Sequence, residues 1–243
     1  MAHGHSDYGG AAPLATVYTL QDLGELAARL GSIVTFDRRG NVIFLDDFEG
    51  SLSKYYTYTD GAGASVAISN EKARHGDFSC KLVSGDTAGD EAWIRGNLPY
   101  PVLSRMGIEV CWYATDHDKL EDFDLLLRVR DGSNEWYPGV AWVAAEKTWY
   151  YHNGGAWVAL SPTQDFYSAY VLFNFTKLVV DFVNQEYVRL ISNNLVYDLS
   201  GKSYSGLPTD APAHLWFDFI ERTRVDDNCV VYLDSIIITQ NEP

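Results

Sequence analysis

The spacing of apolar residues along the chain changes near Gly31, from the period of a helix to the period of a strand. Before this point, apolar residues recur at three- to four-residue intervals, at Leu20, Leu23, Leu26 and Leu30. Thr19 can cap the start of the predicted helix and Gly31 its end. Because so short an amphipathic helix is not stable alone, its leucines are expected to pack against the sandwich that follows or against a neighbouring chain.

Beyond Gly31, apolar and polar residues alternate in short runs that are separated by turn-forming residues. Residues 32–36 and 41–45 flank a turn at 37–40 and predict a β-hairpin. Further strands are predicted at 55–59, 65–69, 78–83, 92–98, 107–113, 123–129, 136–143, 149–152, 156–160, 178–182, 187–192, 195–199, 214–220 and 230–239. So many short strands, with turns roughly every 8–12 residues, predict an all-β fold, a jelly-roll or concanavalin-like β-sandwich.

The chain is expected to divide into two parts near residue 46. The first 18 residues are rich in Gly, Ala and His and are typical of an extended arm. Residues 1–45 are therefore predicted to form an arm, a helix and a hairpin that serve attachment or assembly. Residues 46–243 are predicted to form the β-sandwich.

Charge and composition narrow the classes of partner. Of the 243 residues, 18 are Lys or Arg and 33 are Asp or Glu, so the formal net charge is -15. Nucleic acid and anionic membrane surfaces both favour a basic protein face, so neither partner is expected. The N-terminus lacks the basic and apolar regions of a signal peptide, and no apolar run is long enough to span a bilayer. The acidic balance suits a protein with acidic loops or one that binds Ca²⁺ through oxygen ligands.

Catalytic machinery is not evident in the sequence. The short motifs that mark nucleophile, metalloprotease and nucleotide sites are absent from it. Glycoside hydrolysis needs two carboxylates across a cleft, but the spacing of Asp218 and Glu221 places them on opposite faces of a regular strand. The carboxylates between residues 116 and 124 are expected in a solvated loop. The chain is therefore predicted not to be an enzyme, and a glycan lyase or hydrolase on a lectin-like fold is the remaining alternative.

Two sets of segments resemble known sandwich families. The stretches LDDFEGSLSKYYTY (45–58), ARHGDFSCKLVSG (73–85) and VVYLDSIIIT (230–239) resemble carbohydrate-binding-module-like jelly rolls. The stretch KLVVDFVNQEYVRLISNNLVYDLSG (177–201) resembles the strand–turn–strand runs of lectin-like sandwiches of the laminin-G and concanavalin kind. Both resemblances imply the same architecture. The order of strands that separates a jelly roll from a concanavalin-type sandwich is not visible in the sequence.

The resemblance to carbohydrate-binding modules also implies a structural Ca²⁺ site. In that family the ion often pins the first and last strands. The implied carboxylate ligands are Glu49 and Asp234, with backbone carbonyls near residues 72–77 completing the shell. The alternative is that both carboxylates simply accept hydrogen bonds from backbone donors at the ends of strands.

Aromatic residues make up 14% of the chain and suggest a surface that could stack against sugar rings. Trp157 follows the turn Asn153-Gly154-Gly155 and is expected to be exposed. Tyr150 and Trp149 are further candidates for glycan contact. Because alternate residues of a strand face inward, core packing is the competing role for each of these side chains.

The whole chain also resembles a group of phage-encoded minor structural proteins. The resemblance is carried by AHGHSDYGGAAP (2–13), LGELAARLGSIVTFDRRGNVIFLDDFE (23–49), LPYPVLS (98–104), KLVVDFVNQEYVRL and the terminal IITQNEP. It implies a virion protein, either a capsid decoration or a tail-associated subunit.

In that interpretation, residues 1–40 bind further copies of the chain or capsid or tail proteins, and the four helix leucines belong to the assembly surface. The jelly roll would be displayed outward, where it could contact host glycans. The alternative is the carbohydrate-binding module of a secreted protein.

Overall fold

The computed structural model describes residues 37, 39–167 and 171–243. The predicted helix with its four leucines and the first strand of the predicted hairpin lie outside these residues. The described residues belong to one compact unit. No helix among the described residues is long and apolar enough to cross a membrane.

The described residues form an all-β structure with one 3₁₀ turn at Leu52–Lys54. In chain order the strands are β1 (Asn41–Asp46), β2 (Tyr55–Thr59), β3 (Ser65–Ser69), β4 (Ser79–Val83), β5 (Glu91–Pro99), β6 (Arg105–Ala114), β7 (Leu120–Arg130), β8 (Asn134–Trp136), β9 (Gly139–Val143), β10 (Thr148–His152), β11 (Trp157–Ala159), β12 (Asn174–Asp181), β13 (Glu186–Ser192), β14 (Leu195–Asp198), β15 (Gly206–Pro208), β16 (His214–Thr223) and β17 (Val230–Gln240).

Most strands lie where alternation predicts them, with two differences. The predicted strand 136–143 is divided into β8 and β9 at Tyr137 and Pro138, because proline has no N–H to donate to a sheet. Strand β15 was not predicted, since three residues that include Gly206 and Pro208 show no alternation.

The strands form two antiparallel sheets. Sheet A has the order β14-β13-β12-β6-β17-β4-β3, with β1 beside β17. Sheet B has the order β11-β10-β9-β7-β16-β5-β2, with β8 beside β7 and β15 beside β8. The prediction of a β-sandwich is confirmed. Because β1 pairs with β17 along its length, the strand predicted for the N-terminal hairpin belongs to sheet A.

Aromatic side chains from both sheets meet in the core. Trp112 of sheet A stacks on Phe123 of sheet B, with ring centroids 4.6 Å apart, and also contacts Trp142 at 5.7 Å. Gly96 is needed where β5 passes the ring of Phe217, because a Cβ at this position would lie 2.1 Å from Phe217 Cζ. Inward residues of other long strands, such as Ile108, Leu125 and Leu233, are buried in the same core. A ligand can therefore be contacted only by residues that face outward.

Candidate functional site

The outer face of sheet B contains a groove of about 480 Å³. Strand alternation explains which side chains reach it, since Phe123 and Leu125 of β7 face the core while Asp124 and Arg128 face outward. The hairpin β10–β11 and the short strand β15 contribute the opposite wall. The groove is lined by Asp124, Leu126, Arg128, Tyr137, His152, Gly154, Trp157, Leu207, Ile220 and Arg222.

One end of the groove is a cluster of carboxylates around a single guanidinium. Arg222 donates from Nη1 to Asp122 Oδ1 and to Asp124 Oδ2, both at 2.9 Å, and from Nε to Glu91 Oε2 at 3.1 Å. Burial raises the pKa of Asp124 to about 7, and the charge on Asp122 adds to this rise. Arg222 therefore binds three acidic groups, and the protonation of one of them changes near neutral pH.

The other end of the groove has more positive charge. Asp218 is fully buried and accepts two hydrogen bonds from Arg95, at 2.5 and 3.3 Å. Arg128 Nε lies 3.1 Å from Asp218 Oδ2. The guanidinium carbon of Arg128 is 5.7 Å from the ring centroid of Tyr137, within the range of a cation–π contact. Here two guanidinium groups share one carboxylate.

An exposed indole forms part of the groove wall. Trp157 is 41% exposed, and the ring of His152 meets it edge-on at 5.2 Å. The turn between β10 and β11 is held by Asn153, whose Oδ1 accepts from the backbone N–H of Gly155 and Ala156 at 3.0 and 2.9 Å. Burial lowers the pKa of His152, and the charge on Arg128 lowers it further, so both favour the neutral imidazole.

A second aromatic surface lies on the same face, at the β5–β2 edge of sheet B. Tyr58 stacks on Trp93 at 5.2 Å, and Tyr56 contacts the same indole at 5.5 Å. Tyr56 is 59% exposed. The guanidinium of Arg95 lies 5.0 Å from the Trp93 ring and links this surface to the charged end of the groove. The outer face of sheet B therefore carries aromatic rings near both edges and ion pairs between them.

The three aromatic residues predicted to contact glycans lie in different environments. Trp157 is exposed in the groove. Tyr150 is half-buried, and its hydroxyl donates to Glu146; it does not line the groove. Trp149 is fully buried, and its Nε1 donates to Gln164 Oε1 at 3.0 Å. The prediction for Trp149 is therefore wrong, because alternation turns this indole into the core.

Glu49 and Asp234 both bind the turn that begins near residue 74. Oε1 of Glu49 accepts from the N–H groups of Asp77 and Phe78 at 2.7 and 2.9 Å. Oδ2 of Asp234 accepts from the N–H groups of Arg74 and His75 at 2.7 and 3.0 Å.

This arrangement does not fit a cation between Glu49 and Asp234. A turn that directs four N–H groups at the two carboxylates presents positive partial charge to them, whereas Ca²⁺ needs oxygen ligands. The carbonyl of Lys72, one of those expected in the calcium shell, accepts from the hydroxyl of Ser79. Among the described residues no group of three or more His, Cys, Asp or Glu side chains is arranged to hold a metal. The geometry matches the alternative in which both carboxylates accept from backbone donors.

The charged residues of the groove were not predicted from the sequence. Asp122 and Asp124 were expected in a solvated loop, but β7 begins at Leu120 and places both on the outer face of the sheet. The alternation along β7, which turns residues 122, 124, 126 and 128 to one face, is the signal that could have placed Asp122 and Asp124 on the outer face. Their partner Arg222 lies about a hundred residues further along the chain, and nothing in the local pattern joins them.

No family model and no curated protein match the chain. Among solved structures, it is similar to "Cellulose induced protein, Cip1", with 14% identity over 81% of this chain and 96% of that chain and a TM-score of 0.59. It is also similar to a protein of unknown function with a galectin-like fold from Bacillus subtilis, with 11% identity, coverage of 84% and 97%, and a TM-score of 0.51.

A third similar structure is the CBM22-1 xylan-binding domain of Xyn10C from Paenibacillus barcinonensis, with 12% identity, coverage of 85% and 99%, and a TM-score of 0.42. The neighbours thus include a galectin-like fold and a carbohydrate-binding module. At these identities the first two likenesses show the β-sandwich fold alone, and the third is too distant to carry an argument. The expected relation to phage structural proteins stays a prediction.

Proposed function

We propose that the chain binds saccharides in the groove on the outer face of sheet B. The observation that carries the proposal is the exposed indole of Trp157, placed at the wall of a 480 Å³ groove whose other walls hold polar groups. Sugar rings present apolar C–H faces and hydroxyl edges. An exposed indole offers an apolar surface for the former, and the groups of Arg128, Tyr137 and Asp124 offer donors and acceptors for the latter.

We propose that this activity is binding without catalysis. Two carboxylates cooperate in most glycoside hydrolysis, one of them as a free acid or base. In the groove, Asp122 and Asp124 both accept hydrogen bonds from Arg222, and Asp218 is held by Arg95. Asp218 faces outward, whereas Glu221 faces the core and is fully buried. No unpaired carboxylate pair therefore spans the groove among the described residues.

The proposal is tested by replacing Trp157 with alanine and measuring glycan retention on an array of neutral and acidic oligosaccharides. Affinity is expected to fall at least tenfold, about 1.4 kcal/mol, while the melting temperature stays unchanged because the indole is exposed. Tyr100→Ala is a matched control, since Tyr100 is 40% exposed but does not line the groove. Bound oligosaccharides should be recovered with unchanged mass. Equal losses in both variants, or a cleaved oligosaccharide, would contradict the proposal.

The placement of this binding activity in a virion is a separate proposal that rests on the sequence resemblance. Residues 1–40 are proposed to attach the sandwich to further copies or to capsid or tail proteins, through a surface that includes the helix leucines. Light scattering of the whole chain and of a chain that begins at Phe36 tests self-assembly. A folded monomer from the shorter chain and an oligomer from the whole chain would support it, and two monomers would exclude self-association through this region.

A further inference from the structure

Arg128 differs from the other arginines on the outer face of sheet B in having no carboxylate of its own. Arg95 makes two hydrogen bonds to Asp218, Arg130 pairs with Glu135, and Arg222 binds three carboxylates. Arg128 can only share Asp218, which Arg95 already holds.

The Nε of Arg128 is buried without an aligned hydrogen-bond partner, although it lies 3.1 Å from Asp218 Oδ2. The guanidinium donates no hydrogen bond to another residue in the part of the chain that the structure describes. It lines the groove beside His152 and Tyr137, and its side chain is 23% exposed. A strongly polar group of this kind at a partly desolvated position is expected to bind an acceptor when water leaves the groove.

The charges around the groove indicate which acceptor fits. At the Arg128 end, two guanidinium groups face one carboxylate, so one positive charge lacks a partner. At the opposite end, three carboxylates surround Arg222 and would repel a ligand with several negative charges. A single carboxylate beside Arg128 would balance the first end, and its planar shape matches the paired N–H groups of a guanidinium.

We propose that the groove selects saccharides with one carboxylate-bearing sugar, and that Arg128 binds this carboxylate while Trp157 packs against a sugar ring. The inference rests on the proposed function, because it names the ligand class of the same groove. It makes Arg128 the residue that decides specificity and leaves Trp157 to contribute affinity for acidic and neutral rings alike.

The test uses the whole chain and an array of oligosaccharides that carry a single glucuronic, galacturonic or sialic acid. Each acid is printed beside its own methyl ester, which removes the charge and keeps the ring. At least one acid is expected to bind tenfold or more tightly than its ester. The preference should decrease when salt is raised from about 0.05 to 0.5 M, since the groove is partly open to solvent.

Two substitutions connect this preference to Arg128. Arg128→Gln is expected to abolish the difference between acid and ester, and Arg128→Lys to restore part of it through charge without the planar pair of donors. Arg130→Gln is the matched control, because Arg130 lies on the same strand and face but does not line the groove. Melting temperatures of all variants identify any loss of folding.

Three outcomes would overturn the inference. They are equal binding of every acid and its ester, a preference that survives Arg128→Gln, and an equal loss of preference in Arg130→Gln. If neutral glycans still bind and depend on Trp157 in these cases, the proposed function stands and only the carboxylate specificity fails. If nothing on the array binds, the proposed function fails as well.

Discussion

The outer faces of the two sheets use charged residues in opposite ways. On sheet A, Lys177 is fully buried and contacts Glu242 at 2.8 Å, Asp37 at 3.3 Å and Glu109 at 3.8 Å. Arg189 binds the second oxygen of Glu242 at 2.6 Å. These five residues form the sheet A ion cluster, in which each cation has several partners and is shielded from solvent.

On sheet B the charges remain partly open to solvent. The side chain of Arg95 is 32% exposed, although its partner Asp218 is buried. Arg128 reaches the groove without a carboxylate of its own, and three carboxylates share Arg222. Charges that are satisfied within the protein stabilise one arrangement of the chain, whereas charges that are left unevenly matched at a groove are available to a ligand.

The largest expected effect comes from removing the central cation of the sheet A ion cluster. Lys177→Met should reduce the free energy of unfolding by about 3–5 kcal/mol, because the carboxylates of Glu242 and Asp37 then stay buried without their ammonium partner. Urea unfolding at pH 7 measures the change. Saccharide binding should be unaffected in the folded fraction, since Lys177 lies on the opposite sheet from the groove.

The corresponding change on sheet B should have a smaller effect. Arg95→Met removes a cation that is one-third exposed, and Asp218 keeps Arg128 at 3.1 Å, so a loss of about 1–2 kcal/mol is expected. If Arg95→Met and Lys177→Met reduce the free energy of unfolding by similar amounts, the charges on the two faces are equally shielded from water, and the comparison fails.

A smaller, pH-dependent effect on stability is expected from two outward carboxyl groups, one on each sheet. Burial raises the pKa of Glu109 on sheet A to about 8 and that of Asp124 on sheet B to about 7. Both values lie above those of an unfolded chain, so the folded state keeps protons that the unfolded state releases. Stability contributed by these groups is therefore complete below about pH 4 and is lost as pH rises to about 7 for Asp124 and 8 for Glu109.

The amide variants Glu109→Gln and Asp124→Asn test this difference. The free energy of unfolding is expected to fall between pH 5 and pH 9, and each amide variant should make this fall smaller, by roughly a few kcal/mol at most. The reduction should be larger for Glu109→Gln than for Asp124→Asn. Melting temperatures across this pH range measure the effect. A fall that is unchanged in both variants would mean that neither carboxyl keeps its proton in the folded protein at neutral pH.

Much of the fold could be predicted because alternation is a local property. The strands Tyr55–Thr59 and Ser65–Ser69 lie at their predicted bounds, and the remaining predicted strands within the described residues overlap observed ones. The turn before Trp157 also has a local signal, in a glycine at positive φ and an asparagine that accepts from the following N–H groups. The position of an exposed indole could therefore be predicted beside it.

The sequence by itself determined that this chain forms a β-sandwich, which side of each strand is apolar, and that Trp157 follows a tight turn. Only the tertiary structure decided that Asp122 and Asp124 meet Arg222, that Arg128 lacks a carboxylate of its own, and that Trp149 belongs to the core. The physical reason is that a period of two specifies the two sides of a strand but not its neighbours. The order β7-β16-β5 brings together charges that are far apart in the chain and places them along the groove.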